Sequence, residues 1–313
     1  CEIDRTFYRA PSFAYPEPEA WNTEKDPLNA ETGRTACNIL HDVIARAGES
    51  VTVYGKFVHN CDLQQPLSGE WALLYFWGTG LNRWIYLGRV LTGEAGQLRV
   101  DLPPLPEGRY ILKAVMAGDL STANGYISML APGKPAVAFD LDGVVGALEP
   151  AVETPPGMSA PERLRPDADA LVRHYVERGF EVVLFTRRPF WTATRTRSWL
   201  ASLEIPFQSL RFLPPPAEID AEYGFAPQIA AWLMNARIGA GVVFTRAYGS
   251  SLDDILAFES AGIPKSGTYI VGEHAGERGT HSLNGDGGIS LHLGELNALE
   301  HDVCASQLAT VNE

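Results

Sequence analysis

The chain has 313 residues, of which 45% are hydrophobic and 20% are charged. This length is enough for two ordinary domains, and the composition is typical of a soluble globular protein. The formal net charge of −13 argues against a nucleic-acid-binding surface and does not favour docking on anionic lipid. No apolar run approaches the length of a membrane-spanning helix.

Residues 1–47 are predicted to form an N-terminal tail or linker, because prolines accompany Glu and Asn there. The start at Cys1 resembles a processed bacterial lipoprotein, tethered to a membrane in the periplasm or at the cell surface; an arbitrary boundary of the sequence is the alternative. Cys37 and Cys61 could pair in an oxidising compartment or remain buried free thiols. The cysteines contain no Cys-x-x-Cys pattern and do not favour a zinc site.

Residues 48–132 are predicted to form an all-β, immunoglobulin-like sandwich, because short strands alternate with turns rich in Gly and Pro. The tryptophans of this region are expected to pack in the core and sheets rather than to form a ligand site. The predicted strands are 51–57, 71–77, 84–90, 97–102, 110–116 and 125–130.

Residues 134–300 alternate strands with helices, which predicts an α/β fold with a doubly wound, mostly parallel sheet. Residues 301–313 are then a C-terminal tail. Strands are predicted up to Leu141 and at 180–185, 241–245 and 268–271, and helices from Pro166 to before Gly179 and at 192–203, 227–236 and 252–261.

The first of these strands ends in Asp140-Leu141-Asp142-Gly143. Side chains two apart on a strand point the same way, so Asp140 and Asp142 are expected to project together from its carboxyl end, where open α/β sheets bind ligands. Two carboxylates there suit a hard divalent cation, and one could act as a nucleophile toward phosphorus. The alternative is an Asp-rich turn with no chemical role.

Two further strand ends carry polar residues. Thr186 follows the second strand, where its hydroxyl could bind a phosphoryl oxygen or cap a helix. Arg187 and Arg188 come next and could supply positive charge. Asp253 and Asp254 open a helix after a later strand, which suits the helix dipole; Asp254 could also complete a magnesium site with Asp140.

Together these residues resemble the haloacid-dehalogenase-like (HAD) phosphohydrolase superfamily, whose first motif has the form Asp-x-Asp-Gly. Residues 179–189 and 248–272 are similar to the lipin-type C-terminal catalytic domain. Residues 286–296 are similar to its version in the retinal-degeneration-B type phosphatidylinositol-transfer proteins. The resemblance covers about residues 134–300 and implies a HAD-like, Rossmann-like sheet.

The resemblance implies two functions. Lipins are magnesium-dependent phosphatidate phosphatases. In that scheme Asp140 would form an aspartyl-phosphate and Asp142 would protonate the leaving alkoxide. The transfer-protein relatives lack the nucleophilic aspartate and are thought to sense phosphatidic acid without hydrolysing it. Since this chain keeps both aspartates, the resemblance favours a Mg²⁺-dependent phosphomonoester phosphatase, with a non-catalytic phosphatidic-acid-binding module as the alternative.

The resemblance also implies a ligand set. Mg²⁺ would be held by Asp140, the backbone carbonyl of Asp142, and Asp254, with Asp253 nearby. Thr186, Arg188 and the backbone amides around Gly143 would bind the phosphoryl oxygens. The expected partner is phosphatidic acid or another phosphomonoester, at a membrane surface or in solution, because no cap domain is evident over the site.

One position departs from the family pattern. Gln228 stands where the family has a lysine that neutralises the phosphoryl group, and residues 135–264 contain no lysine. Loss of one such donor typically costs about 3–4 kcal/mol in the transition state. This departure favours the binding module over the phosphatase.

Overall fold

The computed structural model describes residues 6–23, 36–59, 65–147, 163–205, 209–213, 224–285 and 287–299. Cys1, Cys61, the Asp286 of the last motif and the predicted C-terminal tail lie outside these residues. The described residues form two compact units, one from 6–131 with 189–194 and the other from 132–188 with 195–299. None of their helices is long and apolar enough to cross a bilayer.

The first unit contains two sheets that share one core. Its strands are β1 (Ile39–Leu40), β2 (Val43–Arg46), β3 (Val51–Lys56), β4 (Trp71–Gly78), β5 (Ile85–Leu91), β6 (Gln97–Leu102), β7 (Gly108–Met116) and β8 (Thr122–Leu130). One sheet has the order β1-β3-β6 and the other β2-β8-β7-β4-β5. Val53 and Leu98 of the first sheet pack in the same buried cluster as Leu74 and Leu112 of the second, as in a β-sandwich.

The predicted tail differs from the structure. The strands β1 and β2 lie within residues 1–47, and β2 pairs in parallel with β8. Earlier in this range, the amide of Glu19 donates a hydrogen bond to the carbonyl of Ala117 (2.8 Å). Such short strands, interrupted by His41-Asp42, do not produce the alternating pattern that identifies longer strands. Cys37 is disulfide-bonded.

The second unit alternates strands and helices. Its strands are β9 (Pro135–Asp140), β10 (Gly146–Ala147), β11 (Arg163–Leu164), β12 (Glu181–Thr186), β13 (Ser209–Phe212), β14 (Val243–Gly249), β15 (Thr268–Ile270) and β16 (His281–Ser282). Its helices are α1 (Ala168–Glu177), α2 (Ala193–Ser202), α3 (Ala226–Asn235), α4 (Leu252–Ser260) and α5 (Gly288–Leu299). Two π-helical turns, Leu141–Val145 and Ala236–Ala240, follow β9 and α3.

The predicted parallel sheet is present. Six strands pair in the order β13-β12-β9-β14-β15-β16, and all five pairings are parallel. After β9, the strands β12 and β13 are added on one side of β9. The next strand, β14, is then added on the other side of β9. This reversal beside β9 opens the crevice where doubly wound sheets bind ligands.

Helices cover both faces of this sheet. On one face the ring of Phe139 stacks on Tyr248 and meets Tyr175 of α1 edge-on. Phe185 pairs in register with Asp140, so it points to the face opposite Phe139. Phe185 contacts Phe258 of α4. The Asp140 side chain therefore leaves β9 on the α4 side of the sheet.

Substitution of Tyr248 by Phe should destabilise the second unit. The Tyr248 hydroxyl is buried and hydrogen-bonds both the Tyr175 hydroxyl (2.6 Å) and His292 Nε2 (2.8 Å). Removing the Tyr248 hydroxyl leaves Tyr175 and His292 with one hydrogen-bond partner fewer each, which should lower the free energy of unfolding by about 1–3 kcal/mol. Urea titration would measure the loss. Tyr86→Phe, at a residue that is 53% exposed, should leave stability unchanged; equal stability of Tyr248→Phe and wild type would contradict this account.

Candidate functional site

Three neighbouring parallel strands end at the same edge of the sheet: β9 at Asp140, β12 at Thr186 and β14 at Gly249. The Ser250 hydroxyl just after β14 donates to Asp140 Oδ2 (2.6 Å). Thr186 donates through Oγ1 to Asp142 Oδ2 (2.9 Å). The structure thus brings together the polar residues that the sequence places at separate strand ends.

Asp140 is fully buried and acts as a cap for the turn that follows it. Its Oδ1 accepts from the backbone amide of Asp142 (3.1 Å). Because the chain enters a π-helical turn at Leu141, Asp142 is not on the strand. The alternation expected to align the two carboxylates therefore does not apply, and Asp142 takes different partners.

Asp142 lies against basic and hydroxyl donors. It is 3% exposed and accepts hydrogen bonds from the Thr186 hydroxyl, from the Arg187 backbone amide (2.8 Å) and from Arg188 Nε (2.7 Å). The Arg188 guanidinium in turn lies over the Trp199 ring, 5.1 Å from its centroid. Asp142 is therefore an acceptor in a closed network rather than an open ligand.

Arg187 bridges the carboxylates of two strands. Its Nη2 lies 2.6 Å from Asp254 Oδ1, and its Nη1 lies 3.6 Å from Asp140 Oδ2. The same Nη2 donates to the Ser251 hydroxyl (2.9 Å), and the guanidinium lies over the Phe225 ring. Burial alone would lower the pKa of Arg187, but the carboxylates of Asp254 and Asp140 raise it above its ordinary value.

The two predicted acidic residues of α4 have separate environments. Asp254 is fully buried and forms a capping box with Ser251, its Oδ2 accepting from the amides of Ser250 (2.8 Å) and Ser251 (2.9 Å). Asp253 instead accepts from the backbone amide of Phe225 before α3 (3.1 Å). Only Asp254 reaches the centre of the site.

Gly143 is required by close packing inside the turn. A Cβ at this position would lie 1.9 Å from Ser250 Oγ and 2.8 Å from Asp140 Oδ2. A side chain there would displace Ser250 from Asp140. The predicted role of the nearby amides in phosphate binding stays a prediction.

The departure at Gln228 has a structural counterpart. With its amide turned so that the nitrogen faces them, the Gln228 side chain can donate to the carbonyls of Gly224 (3.1 Å) and Phe225 (3.2 Å), at the start of its own helix. The positive charge of the site comes from Arg187 and Arg188 instead. Arg165, which sequence reasoning did not single out, donates through Nε to the Gly143 carbonyl (3.1 Å); nothing in its local sequence indicates this contact.

The arrangement does not fit the predicted magnesium ligands. No three His, Cys, Asp or Glu residues within the described ranges are grouped so as to hold a metal ion. The Asp142 carboxylate is held by Thr186 and Arg188, so only its backbone carbonyl, the predicted ligand, remains a candidate. The Asp253 carboxylate accepts from the Phe225 amide before α3. A guanidinium stands between the two remaining carboxylates, Asp140 and Asp254. The side chains therefore satisfy one another without a divalent cation.

Asp140 has the most perturbed environment of the site. Burial and the neighbouring Asp254 raise the pKa of Asp140 to about 8, against the opposing effect of Arg187. Burial therefore favours the protonated form of this carboxyl group, relative to an exposed aspartate. A protonated carboxyl is a poor nucleophile and a good hydrogen-bond donor.

A parallel α/β sheet with acidic and basic side chains at its carboxyl edge defines a domain of the ligand-binding, doubly wound class. Residues 137–272 match the family model of the LNS2 domain of the PITM 1-3 proteins. Over most of its length the chain is also similar to curated proteins that contain more than this domain. The resemblance to retinal-degeneration-B type proteins is confirmed as sequence similarity. The lipin-type assignment stays a prediction.

Three of these relatives represent the group. Membrane-associated phosphatidylinositol transfer protein 3 of Mus musculus is 28% identical over 268 residues, covering 84% of this chain and 26% of the relative. Membrane-associated phosphatidylinositol transfer protein 1 of Homo sapiens is 27% identical, covering 85% and 19%. Protein retinal degeneration B of Drosophila melanogaster is 24% identical, covering 80% and 18%. The chain thus spans about a quarter or less of the length of these relatives.

Among solved structures, a HAD-like phosphatase candidate from Mesorhizobium loti matches 56% of this chain and 91% of its own, with 20% identity and a TM-score of 0.39.

Substitution of Asp140 by Asn should stabilise the protein, and more so at high pH. The folded pKa of about 8 exceeds the ordinary value of 3.8, so the folded state binds this proton more tightly than the unfolded chain. The stability linked to Asp140 is therefore full below about pH 4 and is lost as pH rises toward 8, by up to about 1.4 kcal/mol per pH unit. Asparagine cannot ionise and avoids this loss.

Thermal unfolding at about pH 5 and about pH 8 measures this effect, where 1 kcal/mol corresponds to roughly 2–4 °C. The gain in melting temperature of Asp140→Asn over wild type should grow between the two conditions. Asp169→Asn, at a partly exposed residue of α1, controls for the loss of a carboxylate. An equal gain at both pH values would refute the raised pKa.

Proposed function

We propose that residues 132–299 bind the phosphomonoester headgroup of a lipid, phosphatidic acid, without hydrolysing it. A phospholipid ligand is carried over from relatives named as phosphatidylinositol transfer proteins, and phosphatidic acid in particular comes from the resemblance to lipin-type domains. The absence of hydrolysis is argued from this chain's own side chains. Membrane association is part of the same proposal.

The environment of Asp140 is the observation that carries the proposal. Its carboxyl is buried, its pKa is raised to about 8 and its cationic neighbour is Arg187. At neutral pH a protonated Asp140 does not attack phosphorus, because nucleophilic attack needs the carboxylate. In its protonated form the group also does not repel a dianion, although it is fully buried and its oxygens already accept from the Asp142 amide and the Ser250 hydroxyl.

Arg187 and Arg188 are the cations that an incoming phosphate would meet. The side chains are 22% and 14% exposed; Arg187 pairs with Asp140 and Arg188 pairs with Asp142. A guanidinium carries five N–H donors in a rigid plane, so it can bind a phosphate oxygen while keeping a carboxylate partner. Hydrogen bonds to charged groups contribute about 1.5–3 kcal/mol each.

The charge of the whole chain argues for recognition of the headgroup rather than of a charged surface. A protein with a net charge of −13 is repelled by an anionic bilayer at long range. Phosphatidic acid and phosphatidylserine both give anionic bilayers, but only phosphatidic acid presents a phosphomonoester. Selectivity between these two lipids is therefore a direct consequence of the proposal.

Phosphomonoester hydrolysis is the second candidate, because Asp140 and Asp142 are both retained in the Asp-x-Asp-Gly motif. This activity would need an ionised Asp140 as nucleophile and a protonated Asp142 as general acid. The environment of Asp140 disfavours its ionised form, because burial and Asp254 raise its pKa. The Asp142 carboxylate is engaged by Arg188, Thr186 and the Arg187 amide.

The full chain should bind liposomes containing phosphatidic acid at least about tenfold more tightly than liposomes containing phosphatidylserine at equal charge, a difference of about 1.4 kcal/mol. Arg188→Gln should weaken this binding by about 10–100-fold, because one charge-assisted contact is lost. Arg99→Gln removes the same charge from an exposed position on β6 and should bind as wild type does. Liposome flotation measures the binding of wild type to both kinds of liposome and the binding of each variant to liposomes that contain phosphatidic acid.

The same liposomes distinguish binding from hydrolysis. Asp140→Asn should retain binding, since an amide replaces one hydrogen-bond donor by another, and neither protein should release inorganic phosphate. Phosphate release by wild type that is abolished in Asp140→Asn would establish the phosphatase instead. Equal affinity for the two anionic lipids would refute headgroup recognition.

A further inference from the structure

A carboxylate at the end of a strand and a carboxylate in a neighbouring helix face one guanidinium. Asp140 ends β9, Asp254 lies in the first turn of α4 after β14, and both side chains are fully buried. Asp140 Oδ1 accepts from the Asp142 amide, and Asp254 Oδ2 accepts from the Ser250 and Ser251 amides. Asp254 Oδ1 faces Arg187, whereas Asp140 Oδ2 accepts from the Ser250 hydroxyl (2.6 Å) and lies 3.6 Å from Arg187 Nη1.

Paired carboxylate oxygens at the carboxyl edge of a parallel sheet are typical ligands for a hard divalent cation. Here the cation is Arg187, with N–O distances of 2.6 Å to Asp254 and 3.6 Å to Asp140. Ionisation of both buried carboxyl groups without a cation between them would cost several kcal/mol per uncompensated charge. A positive charge at this point of the fold opposes that repulsion.

Contacts with three separate segments of the chain hold the Arg187 side chain in position. Its backbone amide donates to Asp142, its Nη2 donates to the Ser251 hydroxyl and its guanidinium lies over the Phe225 ring at 5.5 Å. These contacts come from the turn after β9, the start of α4 and the residue before α3. The side chain is 22% exposed, so the remainder of its surface is enclosed.

We infer that Arg187 is a built-in cation that takes the place of a divalent metal ion between Asp140 and Asp254, and that shortening its side chain opens a divalent-cation site there. Arg187 has this role whether or not the domain binds lipid. The wild-type site is thus independent of metal, and the variant site depends on it.

The test uses the full chain and Mn²⁺ alone, followed by electron paramagnetic resonance of free and bound ion. Arg187→Ala should bind one Mn²⁺ per chain, with an affinity at least about tenfold above any binding by wild type, equivalent to about 1.4 kcal/mol. It should melt below wild type in chelator and recover on addition of Mg²⁺ or Mn²⁺, because a ligand that binds only the folded state stabilises it. Wild type should melt at the same temperature in both conditions.

Two controls locate the ion. Arg187→Ala combined with Asp254→Asn should lose the bound Mn²⁺. Arg278→Ala removes an arginine from an exposed carboxylate, Glu259, in the same unit and should gain no ion. Arg187→Ser replaces Arg187→Ala if the latter does not fold.

Stoichiometric Mn²⁺ binding by wild type that Asp254→Asn abolishes would overturn the inference. A folded Arg187→Ala or Arg187→Ser protein that binds no Mn²⁺ would do the same. Neither result depends on lipid. An experiment that refutes the role of Arg187 therefore leaves the proposal of headgroup binding untouched, and the reverse also holds.

Discussion

The central constraint on this structure is the burial of two carboxyl groups at one place. Parallel pairing of β9 with β14 brings Asp140 and Asp254 to a common edge where both are removed from water. A positive charge beside such a pair favours its ionised form and offsets the cost of burying it. Arg187, which follows β12 on the other side of β9, supplies that charge. Three strands that are separate in the chain thereby depend on one ionic contact.

This contact sets the environment of the sequence motif. Burial and Asp254 favour the protonated form of Asp140, while the Asp142 carboxylate accepts from Arg188. A scaffold that can bind a phosphate group need not cleave it, since covalent cleavage requires an ionised nucleophile. Fold similarity alone therefore does not decide between a phosphatase and a lipid-binding domain.

Much of the architecture follows from local patterns, whereas the site's ionic pairing does not. Alternating apolar residues predict β3 to β8, and the rule that parallel strands share a carboxyl edge predicts that Asp140, Thr186 and Asp254 converge. β13 has four residues, too few for a pattern, and α5 contains an internal glycine that weakens its helical propensity. The orientation of Arg187 depends on Ser251 and Phe225, which lie far away in the chain and are not identified by any local pattern.

The glycine of the Asp-x-Asp-Gly motif has a steric role here. Any side chain at Gly143 would collide with Ser250 and Asp140, and Asp140 itself caps the start of the turn through the Asp142 amide. The first aspartate and the glycine of the signature are therefore needed for this loop to fold, whatever chemistry the domain performs. The signature by itself accordingly reports the shape of a loop and does not identify an enzyme.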